Sequence, residues 1–275
     1  MSAIRIAVIG GGNMGRAIVE GGIRAGVVDA GGWLVVEPEA AKRREFTALG
    51  VRTIPSAAEL RSQLGPQSQV MLAVKPQMLG DVARDAAGVD WNRVVISILA
   101  GVTSAKVRSA LGSHAQARVI RVMPNTPARI GMGTTGVAIG AGARAEDAAL
   151  ALALFRGVGP VVEVVDESLM DAFTAVAGSG PAYLFYVAEA MMKAAQELGF
   201  APDVADRIVR QTLAGASALL AEDGAAPPAE LRAAVTSKGG TTAAATNSLD
   251  SSKVMEAFGK ALRAARDRGR ELGAG

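Results

Sequence analysis

The chain contains no cysteine, which excludes disulfides, thiolate zinc sites and cysteine nucleophiles together. Histidine is nearly absent: His114 is the only one among 275 residues. One imidazole cannot assemble a metal site without several carboxylate partners, and none cluster around it in sequence. The sequence therefore predicts no bound metal and a structural or surface role for His114. Aromatic residues make up only 4%, too few for a core of stacked rings. No apolar run reaches the roughly 18 residues a membrane span needs; the best, Val94 to Val102, has nine. Excess charge is also missing, since 29 basic residues face 26 acidic ones and a net +3 is too small for a nucleic-acid footprint. Six bases and three acids lie between Lys253 and the end, a pattern that reads as a solvated helix face. The first apolar segment follows Met-Ser-Ala directly, leaving no room for a signal peptide. Together these absences point to a soluble cytoplasmic protein with no nucleic-acid, membrane or metal partner.

What is present in quantity is small: 55 alanines carry much of the 50% hydrophobic fraction, and 33 glycines stand beside them. Such residues favour closely approaching helices and tight backbone turns. The first half alternates strand-like and helix-like segments. Ile4 to Ile9, Trp33 to Val36, Val70 to Val74, Val94 to Ile98, Val119 to Val122 and Val161 to Val165 are short apolar runs suited to strands buried on both faces. Helical spacing recurs at Asn13–Ala25, Glu39–Leu49, Gln77–Ala87 and Ser104–Leu111. The alternation predicts an α/β fold built on a doubly wound parallel sheet. After Asp166 no convincing strand remains, and long helical periods follow at Tyr183–Leu198, Val204–Ala221, Glu230–Val235 and Ser251–Leu272. The expected domains are therefore 1–166 and an all-helical 167–275.

Gly10, Gly11, Gly12, Asn13, Met14 and Gly15 satisfy G-x-G-x-x-G where the first strand ends and the first helix begins, the context that gives the motif meaning. Gly10 allows the tight turn, Gly12 the close approach of a pyrophosphate, and Gly15 close helix–strand packing, with the anion at the helix N-terminus. Glu37 closes the second strand, 22 residues beyond Gly15, near the offset of a carboxylate that accepts the ribose hydroxyls and repels a 2′-phosphate. Alternatively it caps the helix after Pro38. Lys42, Arg43 and Arg44 follow and supply charge that could reach a phosphate. Ala73-Val74-Lys75-Pro76, Leu99-Ala100-Gly101 and Met123-Pro124-Asn125-Thr126-Pro127 each follow a strand end, where ligands bind in open parallel sheets. Singly each is as consistent with loop punctuation as with ligand contact; jointly they outline one rim.

In the helical half, Gly178-Ser179-Gly180-Pro181 opens a helix and reads chiefly as an N-cap. Thr236-Ser237-Lys238-Gly239-Gly240-Thr241-Thr242 is denser. Two glycines free the backbone, and hydroxyls and successive N–H groups can face one anion, as a carboxylate-binding nest.

With its glycine loop, Ala-Val-Lys-Pro at 73–76, Met-Pro-Asn-Thr-Pro at 123–127, Gly-Ser-Gly-Pro-Ala-Tyr at 178–183 and Thr-Ser-Lys-Gly-Gly-Thr-Thr at 236–242, the chain resembles the pyrroline-5-carboxylate reductases along essentially its whole length. The resemblance implies a Rossmann domain followed by a helical domain through which subunits dimerise, often into larger rings. It implies reduction of 1-pyrroline-5-carboxylate to L-proline with NADPH or NADH. By position, Gly10 to Gly15, Ala73 to Pro76 and Leu99 to Gly101 would hold the dinucleotide. The backbone of Gly239, Gly240 and Thr241 would take the substrate carboxylate, and Thr242 would hydrogen-bond the ring nitrogen. Asn125 and Lys238 complete the expected substrate-binding set. Lys238 stands where proline is commoner, Thr246 where an aliphatic residue is usual, and Ala177 where serine is frequent.

The residue inventory suits that chemistry. Hydride transfer to a ketone usually needs a strong acid, commonly His or Lys, and the motifs hold no histidine. A cyclic imine is basic enough to arrive protonated, so a hydroxyl that orients the N–H and a nest that holds the carboxylate suffice. Two rivals remain open from sequence. A β-hydroxyacid dehydrogenase would need an acid/base lysine on the long helix, for which Lys193 is the candidate. A dinucleotide-binding sensor would not need the second nest. For the cofactor, Glu37 favours NADH while the resemblance favours NADPH, and geometry tilts the expectation toward NADH being at least comparable.

Overall fold

The computed structural model describes residues 3–112, 116–222 and 224–274; His114 lies outside them. Eight strands form one sheet: β1 (Ile6–Ile9), β2 (Trp33–Val36), β3 (Arg52–Ile54), β4 (Gln69–Leu72), β5 (Val94–Ser97), β6 (Arg118–Met123), β7 (Thr134–Ile139) and β8 (Val161–Val164). Their order is β3-β2-β1-β4-β5-β6-β7-β8. The chain starts in the sheet's interior and winds outward in one direction and then the other, the doubly wound arrangement. The first six strands run parallel, but β7 is antiparallel to β6 and parallel to β8. The six expected strands are present. Two were not anticipated: β3 is three residues long, and β7 opens Thr-Thr-Gly, which breaks the β-branched run.

Alternation along each strand splits the apolar residues between the two faces. Ala7, Ile9, Leu34, Val36, Val70 and Leu72 belong to one core; Ile6, Val8, Trp33, Val35, Met71 and Ile96 belong to the other. Helices cover both faces, as a sheet buried on two sides requires. They are α1 (Asn13–Arg24), α2 (Ala40–Ala48), α3 (Leu79–Asp85), α4 (Ser104–Ala110) and α5 (Ala149–Arg156), then the single turn α6 (Met170–Phe173). A five-residue π-helical turn spans Thr174–Gly178. Beyond it come α7 (Gly180–Glu197), α8 (Pro202–Leu220), α9 (Pro228–Ala234), α10 (Thr241–Ser251) and α11 (Val254–Ala274).

By compactness the chain divides differently from the boundary read at residue 166. One unit comprises the chain up to Ser179 together with the residues from Ala264 onward; the other is Gly180–Arg263. Residues 167–179 join the sheet unit through charged contacts. Arg121, almost fully buried on β6, pairs with Asp171 at 2.9 Å. Glu167 receives both the Ser104 N–H (2.6 Å) and its hydroxyl (2.5 Å). In the helical unit only Ala205 and Val209 are buried among the described residues. No helix of the described residues is long and apolar enough to cross a membrane.

Candidate active site

Gly10 sits at φ +111°, and a Cβ there would lie 2.6 Å from the Ala73 carbonyl oxygen. A Cβ on Gly15 would lie 2.4 Å from the Gly10 oxygen. Both positions therefore demand glycine, one for turning and packing on β4, the other for bringing α1 onto the loop. Gly12 differs: nothing lies within 4 Å of its would-be Cβ, and it is the N-cap of α1 with no side-chain capping bond. The first N–H groups of α1 thus face open space without a side-chain acceptor. That is a cradle for a phosphate group, so the loop fits a dinucleotide.

Glu37 is 7% exposed. The Gly11 N–H donates to its Oε2 (2.9 Å) and the Glu39 N–H to its Oε1 (3.0 Å). The carboxylate is held over the glycine loop rather than dedicated to a helix cap; the N-cap of α2 is Glu39. Two of the basic residues that follow are already engaged. Lys42 Nζ lies 2.7 Å from Glu39 Oε2, and that hydrogen bond, with the charges of Glu39 and Glu37, raises the lysine above its ordinary pKa. One guanidinium nitrogen of Arg43 donates to the carbonyls of Glu37 (2.8 Å) and Pro38 (2.7 Å). Arg44 is exposed.

Two cavities lie along the carboxyl ends of the strands and share Gly12, Ala73, Val74 and Lys75 in their walls. One, of about 510 Å³, adds Gly10, Glu37, Pro38 and Lys42, together with Asp81 and Asp85 from α3. The other, of about 410 Å³, adds Asn13, Met14, Ile98, Gly178 and Met123–Thr126. Sequence reasoning missed Asp81, Asp85 and Ile98; the two aspartates carry no signal beyond one helical turn of spacing. Leu99, Ala100 and Gly101 line neither cavity. Leu99 is buried, and a Cβ on Gly101 would lie 3.0 Å from Leu272 Cβ and 3.1 Å from the Gly269 oxygen, at the end of α11. Pro76 opens a 3-10 turn and lines a separate cavity with Leu272. Asn125 is 8% exposed, and both ends of its carboxamide are bonded within the protein.

In the helical unit, the Gly240 N–H donates to the Ser237 oxygen (3.0 Å) and Gly239 takes φ +73°. This is the type II pattern with Lys238 at the second position, which accepts proline or most other residues. The lysine thus keeps the turn. Gly240 is the N-cap of α10, again without a side-chain capping bond, leaving the N–H groups of Thr241 and Thr242 available to an anion. Thr242 is half-buried, and among the described residues its hydroxyl has no partner. Thr246, by contrast, bonds the carbonyls of Thr242 (3.0 Å) and Ala243 (3.2 Å). Lys193 stands exposed on α7.

A doubly wound sheet with an uncapped helix behind a glycine loop, and a buried carboxylate at the end of β2, defines the dinucleotide-binding half of an oxidoreductase. Comparison with known proteins narrows the class. Residues 5–101 match the NADP oxidoreductase, coenzyme F420-dependent, family, and residues 167–272 match the pyrroline-5-carboxylate reductase dimerisation family. A pyrroline-5-carboxylate reductase of Pasteurella multocida is 36% identical over 99% of this chain and 98% of its own length. One from a Synechocystis species is 38% identical over 98% and 99%. The solved structure of a pyrroline-5-carboxylate reductase from Coxiella burnetii covers 99% of both chains with a TM-score of 0.86 at 35% identity. The chain belongs to the pyrroline-5-carboxylate reductase family.

Proposed function

We infer that this protein reduces 1-pyrroline-5-carboxylate to L-proline with NADPH or NADH, the last step of proline biosynthesis, and that it self-associates through its helical domain. The observation that carries the reading is similarity over nearly the whole of both chains to reductases of that name. Two uncapped helix N-termini support it, one behind the glycine loop and one behind Lys238–Gly240. We assign the pyrophosphate to the loop Gly10–Gly15 and the adenosine ribose to Glu37. Ala73, Val74 and Lys75 form the adjoining rim, while Pro76 and Leu99 to Gly101 lie outside both cavities. The Gly239–Gly240–Thr241 backbone takes the substrate carboxylate through the N–H groups that the Gly240–Ser237 bond leaves free, and Lys238 sets the turn that presents them. The Thr242 hydroxyl orients the ring N–H.

The bound nicotinamide supplies the hydride. The imine arrives protonated, so when the hydride adds to its carbon the C=N electron pair settles on a nitrogen that already carries its proton. The product is a neutral secondary amine, and the protein needs no strong acid. Its work is to hold the carboxylate and aim the ring. Following reduced-nicotinamide absorbance with and without the imine tests this. Consumption that depends on the imine is expected; cofactor binding without turnover would overturn the reading.

A further inference from the structure

Asn125 follows β6, and its side chain joins two parts of the sheet unit that are far apart in sequence. Its Oδ1 accepts the Thr134 N–H at 2.9 Å, where β7 begins. Its Nδ2 donates to the Ala177 carbonyl at 3.1 Å, 52 residues away. That carbonyl lies in the π-helical turn Thr174–Gly178, which closes with the Ser179 N–H on the Thr174 oxygen at 2.8 Å. In an α-helix Ala177 would receive the N–H of residue 181. Residue 181 is proline and has none. The carboxamide supplies the missing donor, and a half-buried carbonyl that would otherwise be orphaned is satisfied.

The turn held in this way is part of the 410 Å³ cavity. Gly178 and Met123–Thr126 line it together with Gly12, Asn13 and Met14 of the glycine loop. The Met123 methyl stands 2.8 Å from where a Cβ on Gly178 would be, so the wall has little slack. The Asn125 side-chain oxygen and one of the two Nδ2 hydrogens are thus committed to backbone groups of the protein. π-Turns within helices are frequent at functional sites, and this one is bonded from outside the helix by Asn125.

We propose that Asn125 is a positioning residue, fixing the π-turn and hence the Gly178 wall of the dinucleotide cavity. The inference rests on the proposed reductase activity, and wild-type turnover of the imine tests that reading separately. Asn125→Asp keeps the acceptor for Thr134 and removes the donor to Ala177. Its kcat should fall at least tenfold, while the KM for the imine and the dissociation constant for NADH, titrated by fluorescence, stay within about threefold. Adding Pro181→Ala restores the backbone N–H that an α-helical register would direct to Ala177. The double variant should recover most of the lost kcat, a coupling that distant, independent sites do not show. Three results would each overturn the proposal. They are a rise in imine KM at constant kcat, wild-type kcat in Asn125→Asp, and a double variant no better than the single one. Circular dichroism and sedimentation on the same samples establish that each variant is folded and assembled before it is compared.

Discussion

Three threonines around α10 differ in what their hydroxyls are bonded to. Thr236 and Thr246 bond carbonyls one turn back, at 2.6 Å and 3.0 Å, the usual use of a hydroxyl within a helix. Thr242 has no such bond among the described residues, which separates it from a structural cap. Thr242→Val keeps the shape and removes the hydroxyl. If one buried hydrogen bond strengthens in the transition state, turnover should drop by roughly one to two decades, about 1–3 kcal/mol. Wild-type turnover in the valine variant would remove Thr242 from the mechanism. Glu37 carries a second residue-scale prediction. Its carboxylate is fixed by the Gly11 and Glu39 N–H groups, while Lys42 and Arg43 are occupied by Glu39 and by backbone carbonyls. A 2′-phosphate would meet fixed negative charge, with its nearest cations engaged elsewhere. The expected kcat/KM with NADH is at least comparable to that with NADPH. Glu37→Ser should shift the ratio toward NADPH by roughly ten- to a hundredfold, the scale of relieving a like-charge contact. A hundredfold wild-type preference for NADPH, unchanged in the serine variant, would mean that Glu37 does not face the ribose.

At the scale of elements, the turn before α10 makes a stability prediction. Lys238 occupies the second position of a type II pattern whose hydrogen bond runs from Gly240 to Ser237 and does not use the lysine N–H. Lys238→Pro should stabilise the protein by about 0.4–1 kcal/mol by restricting the unfolded chain. Denaturant titration would read this as a higher midpoint at constant slope; a lower midpoint would mean that the lysine backbone is not in the proline range. What the sequence disclosed of the elements follows from the same local logic. β1, β2, β4, β5, β6 and β8 announced themselves as short apolar runs, and the glycine loop was recognisable because it falls between a strand and a helix. β7 was hidden because Thr134, Thr135 and Gly136 interrupt its pattern although Thr135 is fully buried. The Ala149–Arg156 helix reads Ala-Leu-Ala-Leu-Ala-Leu, apolar on every face and therefore without a period. The bonds of Asn125 could not be read either, since both ends reach residues that only the fold brings near.

At the scale of the whole molecule, the helical unit leaves its apolar side chains largely uncovered. Phe185 and Tyr186 on α7 are 61% and 73% exposed, and Val235, Leu249 and Met255 are exposed beyond it. With only Ala205 and Val209 buried among its described residues, helices of this composition require a large interface with a partner surface. Sedimentation equilibrium at micromolar concentration should give at least twice the mass of one chain, and the apparent thermal stability should rise with protein concentration. A monomer at that concentration would contradict it.

The packing of the α11 end on the Gly101 loop has a consequence for the order in which the chain is made. Leu272 and Gly269 belong to the sheet unit, yet a ribosome delivers them only after the whole of Gly180–Arg263. The nascent sheet can pair its strands early, but the loop between β5 and α4 stays bare until Ala264 and its successors emerge. During that interval the intervening helices are present with their apolar faces open. A ribosome stalled near Arg263 should therefore hold a sheet whose Gly101 loop is cut readily by protease, and release of the remaining residues should protect it.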